Sequence, residues 1–142
     1  MQIDDIKVSA RPAMRESKEQ AALFRWRALV AVSGRYPGIE FMFAIPNGAY
    51  LQGDSRRRAM QWAKLKEQGA KVGVSDIFLP VRHHQHAGLW IELKAPKPNA
   101  APVSPEQRDW IAAMLRQGYA AHVAYGWTHA VEIINHYYGI ES

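Results

Sequence analysis

The order of helical and strand patterns along this chain predicts a mixed α/β layer structure, a small sheet held between helices. Three observations carry that prediction. Periodicity switches repeatedly, in the order helix, strand, helix, hairpin, helix, strand, helix, with no internal repeat or low-complexity segment. Gly and Pro clusters fall between the periodic stretches rather than inside them. With 142 residues, 48% of them apolar, the chain suffices for one hydrophobic core and is short for two.

Each element has its own local signature. The polar segment 1–13, ending near Arg11-Pro12, reads as a tail or arm ahead of a single domain over 14–142. Over 14–33, Leu23, Trp26, Leu29 and Val30 recur at helical spacing, and Gly34 supplies a stop. After the Tyr36-Pro37-Gly38 turn, Phe41, Phe43 and Ile45 alternate, which predicts a strand over 39–45 closed by Pro46-Asn47-Gly48. A basic helix follows, capped by Asp54 or Ser55 and ended by Gly69, with Met60, Ala63 and Leu65 expected to face inward.

Strands over 76–81 and 89–95, joined by the His-rich turn 82–88, are expected to pair as an antiparallel hairpin. Beyond the loop 97–102, Ser104-Pro105-Glu106-Gln107 combines a Ser cap, Pro at the first helical position and a capping-box partner. That helix stops at Gly118, residues 119–125 read as a further strand, and Thr128 caps a last helix carrying Val131, Ile134 and Tyr138. Trp26, Trp62, Trp90 and Trp110 fall in periodic patterns and read as core or dimer interface.

Composition removes several function classes. The absence of cysteine excludes disulfides, thiolate zinc sites and thiol catalysis, so any metal must sit on oxygen or imidazole ligands. No apolar run reaches the ~18 to 20 residues that span a bilayer, and the N-terminus lacks a signal-peptide pattern, so a cytoplasmic protein without a membrane partner is expected. Eighteen Lys plus Arg against thirteen Asp plus Glu give a net charge of +5, a balance that favours a polyanionic partner.

Chemistry concentrates in Trp90-Ile91-Glu92-Leu93-Lys94. Side chains alternate along a strand, so Glu92 and Lys94 share one face while Ile91 and Leu93 point into the core. With the hairpin turn centred between 84 and 85, paired residue numbers sum to about 168 to 170, which sets Asp76 opposite Glu92 or Lys94. Two converging carboxylates repel unless a cation lies between them, and Mg²⁺, with Mn²⁺ as a substitute, has the matching preference for oxygen. The backbone carbonyl of Leu93 offers a further oxygen ligand.

Such an ion activates water and offsets charge on a phosphodiester, while Lys94 at ~3 Å orients the nucleophile. The bland alternative is a solvated salt bridge between Glu92 and Lys94 on an exposed sheet face.

These residues and their flanks resemble the VRR-NUC group of the PD-(D/E)xK nucleases, in the compact stand-alone form of phage and prophage genomes. The resemblance runs from Glu16 to about Tyr138. It is carried by Glu16-Ser-Lys-Glu-Gln20-Ala-Ala-Leu-Phe-Arg-Trp26, Ala44-Ile-Pro-Asn-Gly48, Gly73-Val-Ser-Asp76-Ile-Phe-Leu-Pro80, Gly88-Leu-Trp-Ile-Glu92-Leu-Lys94, Ser104-Pro-Glu-Gln107 and Gln117-Gly-Tyr119. It implies a restriction-endonuclease-like αβββαβ core, Asp76 and Glu92 as metal ligands, Lys94 as catalytic lysine, Gln107 reaching the site, and a helix-one glutamate completing it.

Glu16 has the family spacing for that glutamate, four before Gln20. Ser17-x-x-Gln20 is also a capping box, which would put Glu16 outside the helix and Glu19 inside it. The resemblance further implies a homodimer that cuts branched DNA such as Holliday junctions, with no small-molecule cofactor. Ser75 stands where the family has the Pro of its Pro-Asp, and Ala49-Tyr50 replaces a Gly and a basic residue.

Asn47, Arg56, Arg57, Arg58 and Lys71 are the expected DNA contacts, the arginine run being equally readable as a solvated helix face. Gln107 has the alternative of serving only as a helix cap. His83-His84-x-His86 invites a zinc assignment, but no further ligand is near in sequence, and solvent- or phosphate-facing histidines fit better. Cleavage of linear duplex, nicks or ends is the rival enzymatic reading. A DNA-binding module without catalysis is the rival from another class.

Overall fold

The strand Leu89–Lys94 (β3) is the spine of a four-stranded sheet in a computed structural model that describes residues 12–46 and 51–141, with side chains from Arg15 onward. Its neighbours are Ile77–Leu79 (β2), antiparallel, and Ala120–Tyr125 (β4), parallel. The short Phe43–Ala44 (β1) pairs antiparallel with β2 at the edge, giving the order β1-β2-β3-β4. The parallel β3–β4 pair needs a crossover, and the helix Pro105–Arg116 (α3) supplies it.

Three layers result. Ile77, Leu79, Leu89, Ile91 and Leu93 are buried on one face against Leu23 of the first helix (α1, Pro12–Val30) and Ala130 and Ile134 of the last (α4, Trp127–Tyr138). Each such aliphatic side chain contributes about 1.5–3 kcal/mol on leaving water. The other face carries Trp90, Glu92 and Lys94 and lies under α3, with Trp90 and Trp110 perpendicular at 5.1 Å between ring centroids. No helix among the described residues is long and apolar enough to cross a membrane.

The first helix begins at Pro12, two residues earlier than expected, and passes through a 3-10 turn, Ala31–Ser33, to a left-handed Gly34. Residues 1–11 of the expected tail lie outside the described residues. Leu29 does not face inward: the buried stripe runs through Leu23, Trp26 and Val30, and Leu29, off that stripe, is 74% exposed.

The strand expected over 39–45 is mostly absent. Gly38, at φ 84, turns the chain into a 3-10 segment, Ile39–Phe41, whose spacing of three buries Ile39 and Met42 and leaves Phe41 and Phe43 exposed. The basic helix Ser55–Glu67 (α2) is capped by Asp54, whose side chain accepts from the Arg57 N–H at 2.9 Å. It buries no residue at all. Met60 and Ala63 face water instead of the interior, because the helix lies beside the sheet layers and touches the body through half-buried Trp62 and Leu65.

Candidate active site

The residues preceding β2 are constrained first. Gly73 has φ +89, and a Cβ there would lie 2.5 Å from the carbonyl oxygen of Glu106, so the loop before Asp76 is pressed against the first turn of α3. The pairings Ile77 with Ile91, Phe78 with Trp90 and Leu79 with Leu89 all sum to 168, so one more step sets Asp76 opposite Glu92. Asp76 Oδ2 accepts from the Leu93 backbone N–H at 2.7 Å, which fixes the carboxylate across the strands. Leu93 thus contributes its N–H to holding Asp76, and its carbonyl lies in the chain between Glu92 and Lys94.

Glu92 and Lys94 are 3% and 5% exposed, so they do not form the solvated surface pair that was the bland alternative. Their ammonium and carboxylate groups are 3.8 Å apart. Gln107 links them: its Nε2 donates to Glu92 Oε1 at 2.8 Å, and its Oε1 accepts from Lys94 Nζ at 3.1 Å. The same Oε1 accepts from the Ser104 N–H at 2.9 Å, while the Gln107 N–H donates to Ser104 Oγ at 3.1 Å. Gln107 is therefore both the capping-box partner of α3 and a member of the charged array.

Glu16 and Glu19 separate cleanly. The helix begins at Pro12, so Glu16 lies inside it rather than ahead of it, and its half-buried side chain lines the cavity with Asp76, Glu92, Lys94 and Gln107. Glu19 Oε2 accepts from the Trp127 N–H at 2.8 Å and serves the start of α4, where Gly126 provides no side-chain cap.

The cavity holds about 380 Å³, is open to solvent and is also lined by Leu51, Trp62 and Lys71. Burial pushes the Glu92 carboxyl up to about 9, with the adjacent Asp76 charge and hydrogen bond adding to the rise and Lys94 opposing it. Burial also raises Glu16, opposed by Lys94 and reinforced by Asp76. A carboxylate pair that retains a proton at neutral pH is short of positive charge.

That shortage bears on whether a divalent cation fits. Among the described residues no three Asp, Glu or His side chains converge as a complete ligand set, for the histidine hairpin as for this cavity. Asp76 and Glu92 offer two carboxylates, and Glu92 Oε2 is buried with no hydrogen-bond donor reaching it among the described residues. Mg²⁺ is commonly held by one or two carboxylates, with water and substrate phosphate completing an octahedron. The oxygen set fits that ion.

The expected DNA contacts divide. Lys71 lines the cavity and is exposed, Arg56, Arg57 and Arg58 stand exposed on the first turn of α2 and do not line it, and Asn47 lies outside the described residues. His83 and His86 pair backbone to backbone at 3.0 Å in a tight hairpin. The sequence reading missed Trp62, which lines the cavity. Its signal was present as a large aromatic residue on a helix that otherwise faces water.

A family model described as the VRR-NUC domain matches residues 44–127, more than half of the chain. A solved structure described as a VRR_NUC domain protein is similar in fold, with a TM-score of 0.70 and 24% sequence identity over 89% of this chain and 90% of that one. The comparison with curated proteins finds no match.

Proposed function

Because the chain belongs to the VRR-NUC family, a nuclease domain of restriction-endonuclease-like fold, we propose that it is a Mg²⁺-dependent endonuclease, able to use Mn²⁺, that hydrolyses DNA phosphodiester bonds with a preference for branched DNA such as Holliday junctions. The observation that carries this reading is the connected array Asp76, Glu92, Lys94 and Gln107, with Glu92 and Lys94 buried, lining one open cavity.

A divalent cation on Asp76, Glu92 and the Leu93 carbonyl would acidify a coordinated water and offset charge on the phosphate. The chain's own groups do the rest. Lys94, held at its Nζ by Gln107, presents a fixed ammonium that orients the attacking water and stabilises negative charge developing on phosphorus-bound oxygens. Gln107 keeps Lys94 and Glu92 from collapsing into a tighter pair. Glu16, with a raised pKa, stands at the cavity wall as a partner for water protons. Lys71 and the arginine run of α2 supply charge for the DNA backbone.

A homodimer suits a symmetric junction, since two cuts need two sites. Leu29, Val32 and Phe41, all exposed, are apolar surface available to a second copy. The test is cleavage of a labelled four-way junction beside linear duplex, with Mg²⁺, with EDTA and with Asp76→Ala, alongside solution mass. Metal-dependent cutting of the junction that Asp76→Ala abolishes is expected. Equal cutting by the variant overturns the site, and cutting confined to linear DNA overturns the branched substrate.

A further inference from the structure

A second cavity of about 370 Å³ adjoins the first and shares Trp62, Lys71 and Val74 with it. Its remaining wall includes Ile45, Pro46 and Trp110. Its size falls within the ~300–1,000 Å³ of ligand sites, and the lining is mainly apolar and aromatic with a few polar groups. Two tryptophans carry the aromatic part of this wall. Trp62 is half-buried on a helix that buries none of its residues, and it lines both cavities. Trp110 is half-buried, meets Trp90 edge-on and lines the second cavity, and its Nε1 has no hydrogen-bond acceptor among the described residues.

We propose that this second cavity is a nucleobase subsite, taking one unpaired base of the strand whose phosphate lies at Asp76 and Glu92. The proposal rests on the nuclease reading for the neighbouring cavity and adds the feature of the substrate that is selected. A base is flat and apolar on its faces and carries carbonyl and ring-nitrogen acceptors at its edge. The indoles of Trp62 and Trp110 offer aromatic surface for the faces of a base, and Lys71 at the shared wall offers a cation for the phosphate between the two cavities.

The Lys66 ammonium lies over the Trp62 ring, 5.9 Å from its centroid. Bases inside a duplex are paired and stacked, and one can enter a lateral cavity only after extrusion. Branch points, bulges and flaps present such bases already unstacked. Selectivity for DNA structure then arises from a single aromatic pocket beside the cutting centre, with no need to read sequence.

The test uses two short DNAs of equal length, a full duplex and one with a single-nucleotide bulge, each carrying 2-aminopurine at the central position. Binding is followed by anisotropy and by 2-aminopurine fluorescence, in EDTA and in Ca²⁺. Wild type is expected to bind the bulged DNA about 10-fold more tightly and to quench the bulged base. Trp62→Ala is expected to lose both the preference and the quenching, and Trp62→Phe to keep most of each.

Unchanged fluorescence on binding, or a Trp62→Ala protein with wild-type preference, overturns the subsite. Cleavage in Mg²⁺ is scored separately on the same DNAs. A nuclease indifferent to the bulge overturns the subsite alone, whereas a bulge-selective binder that cuts nothing overturns the nuclease reading and supports the subsite.

Discussion

One face of β2 and β3 has two ends of opposite character, covered by the same helix. Toward the start of β3, Trp90 stacks on Phe78 at 4.2 Å between centroids, meets Trp110 edge-on and lies 6.3 Å from Tyr119. Two residues further along the same strand, Glu92 and Lys94 face Asp76 and Gln107. The aromatic end is rich in favourable ring contacts, each pair worth about 0.5–1.5 kcal/mol beyond its buried area. The charged end crowds two carboxyl groups together in a buried setting, with the Lys94 ammonium 3.8 Å from Glu92. The difference teaches that the stable end holds the strands in register so that the other can keep an arrangement it would otherwise relax.

Substitutions can break that contrast at either end. The largest effect is expected from Lys94→Met, which removes the fixed ammonium: single-turnover cleavage should fall on the order of 10³-fold while urea denaturation shows a folded protein. A variant that cuts normally would remove Lys94 from the mechanism.

Next comes the pH dependence of the metal-free protein. Glu92 sits at about 9 in the folded chain against an ordinary 4.5. Between those values the folded state holds a proton that the unfolded chain has released, so stability should be full below pH 4.5 and decline as pH rises toward 9. Melting temperature measured across pH 5–9 should fall in wild type and flatten in Glu92→Gln, and Mg²⁺ should restore the wild type at high pH. Parallel slopes for the two proteins would show that Glu92 does not carry the effect.

At the aromatic end, Trp90→Ala should cost about 3 kcal/mol in urea denaturation, through the cavity left between Phe78 and Trp110. The smallest effect separates the two helix-one glutamates. Glu19→Ala should cost about 1 kcal/mol of stability with cutting retained, since it loses only the bond to the Trp127 N–H. Glu16→Ala should leave stability unchanged and slow cleavage, and the opposite result would exchange their roles.

How much of this was legible in sequence depended on how local the determining contacts are. The alternation of Ile91 and Leu93 with Glu92 and Lys94, and the cap at Ser104 with Gln107, are set by neighbours a few positions away and were readable. The hairpin register followed from turn position, and the structure selects the sum 168 from the range expected. The 39–45 segment misled because its alternating aromatics suggest a strand, whereas a left-handed Gly38 starts a tighter turn and a period of three. The inward faces given to Leu29, Met60 and Ala63 failed because nothing in one helix states where its neighbours lie. Glu16 and Glu19 were separable only by a contact 108 positions away, at Trp127.

The double bonding of Gln107 carries a consequence for the order of assembly. Its amide can steady Glu92 and Lys94 only when the first turn of α3 has formed, because one oxygen serves both the turn and the lysine. Lys94 precedes Gln107 by 13 positions, the loop and first turn that must settle before the two side chains meet. The array of Asp76, Glu92, Lys94 and Gln107 is therefore complete only once α3 has folded against the sheet.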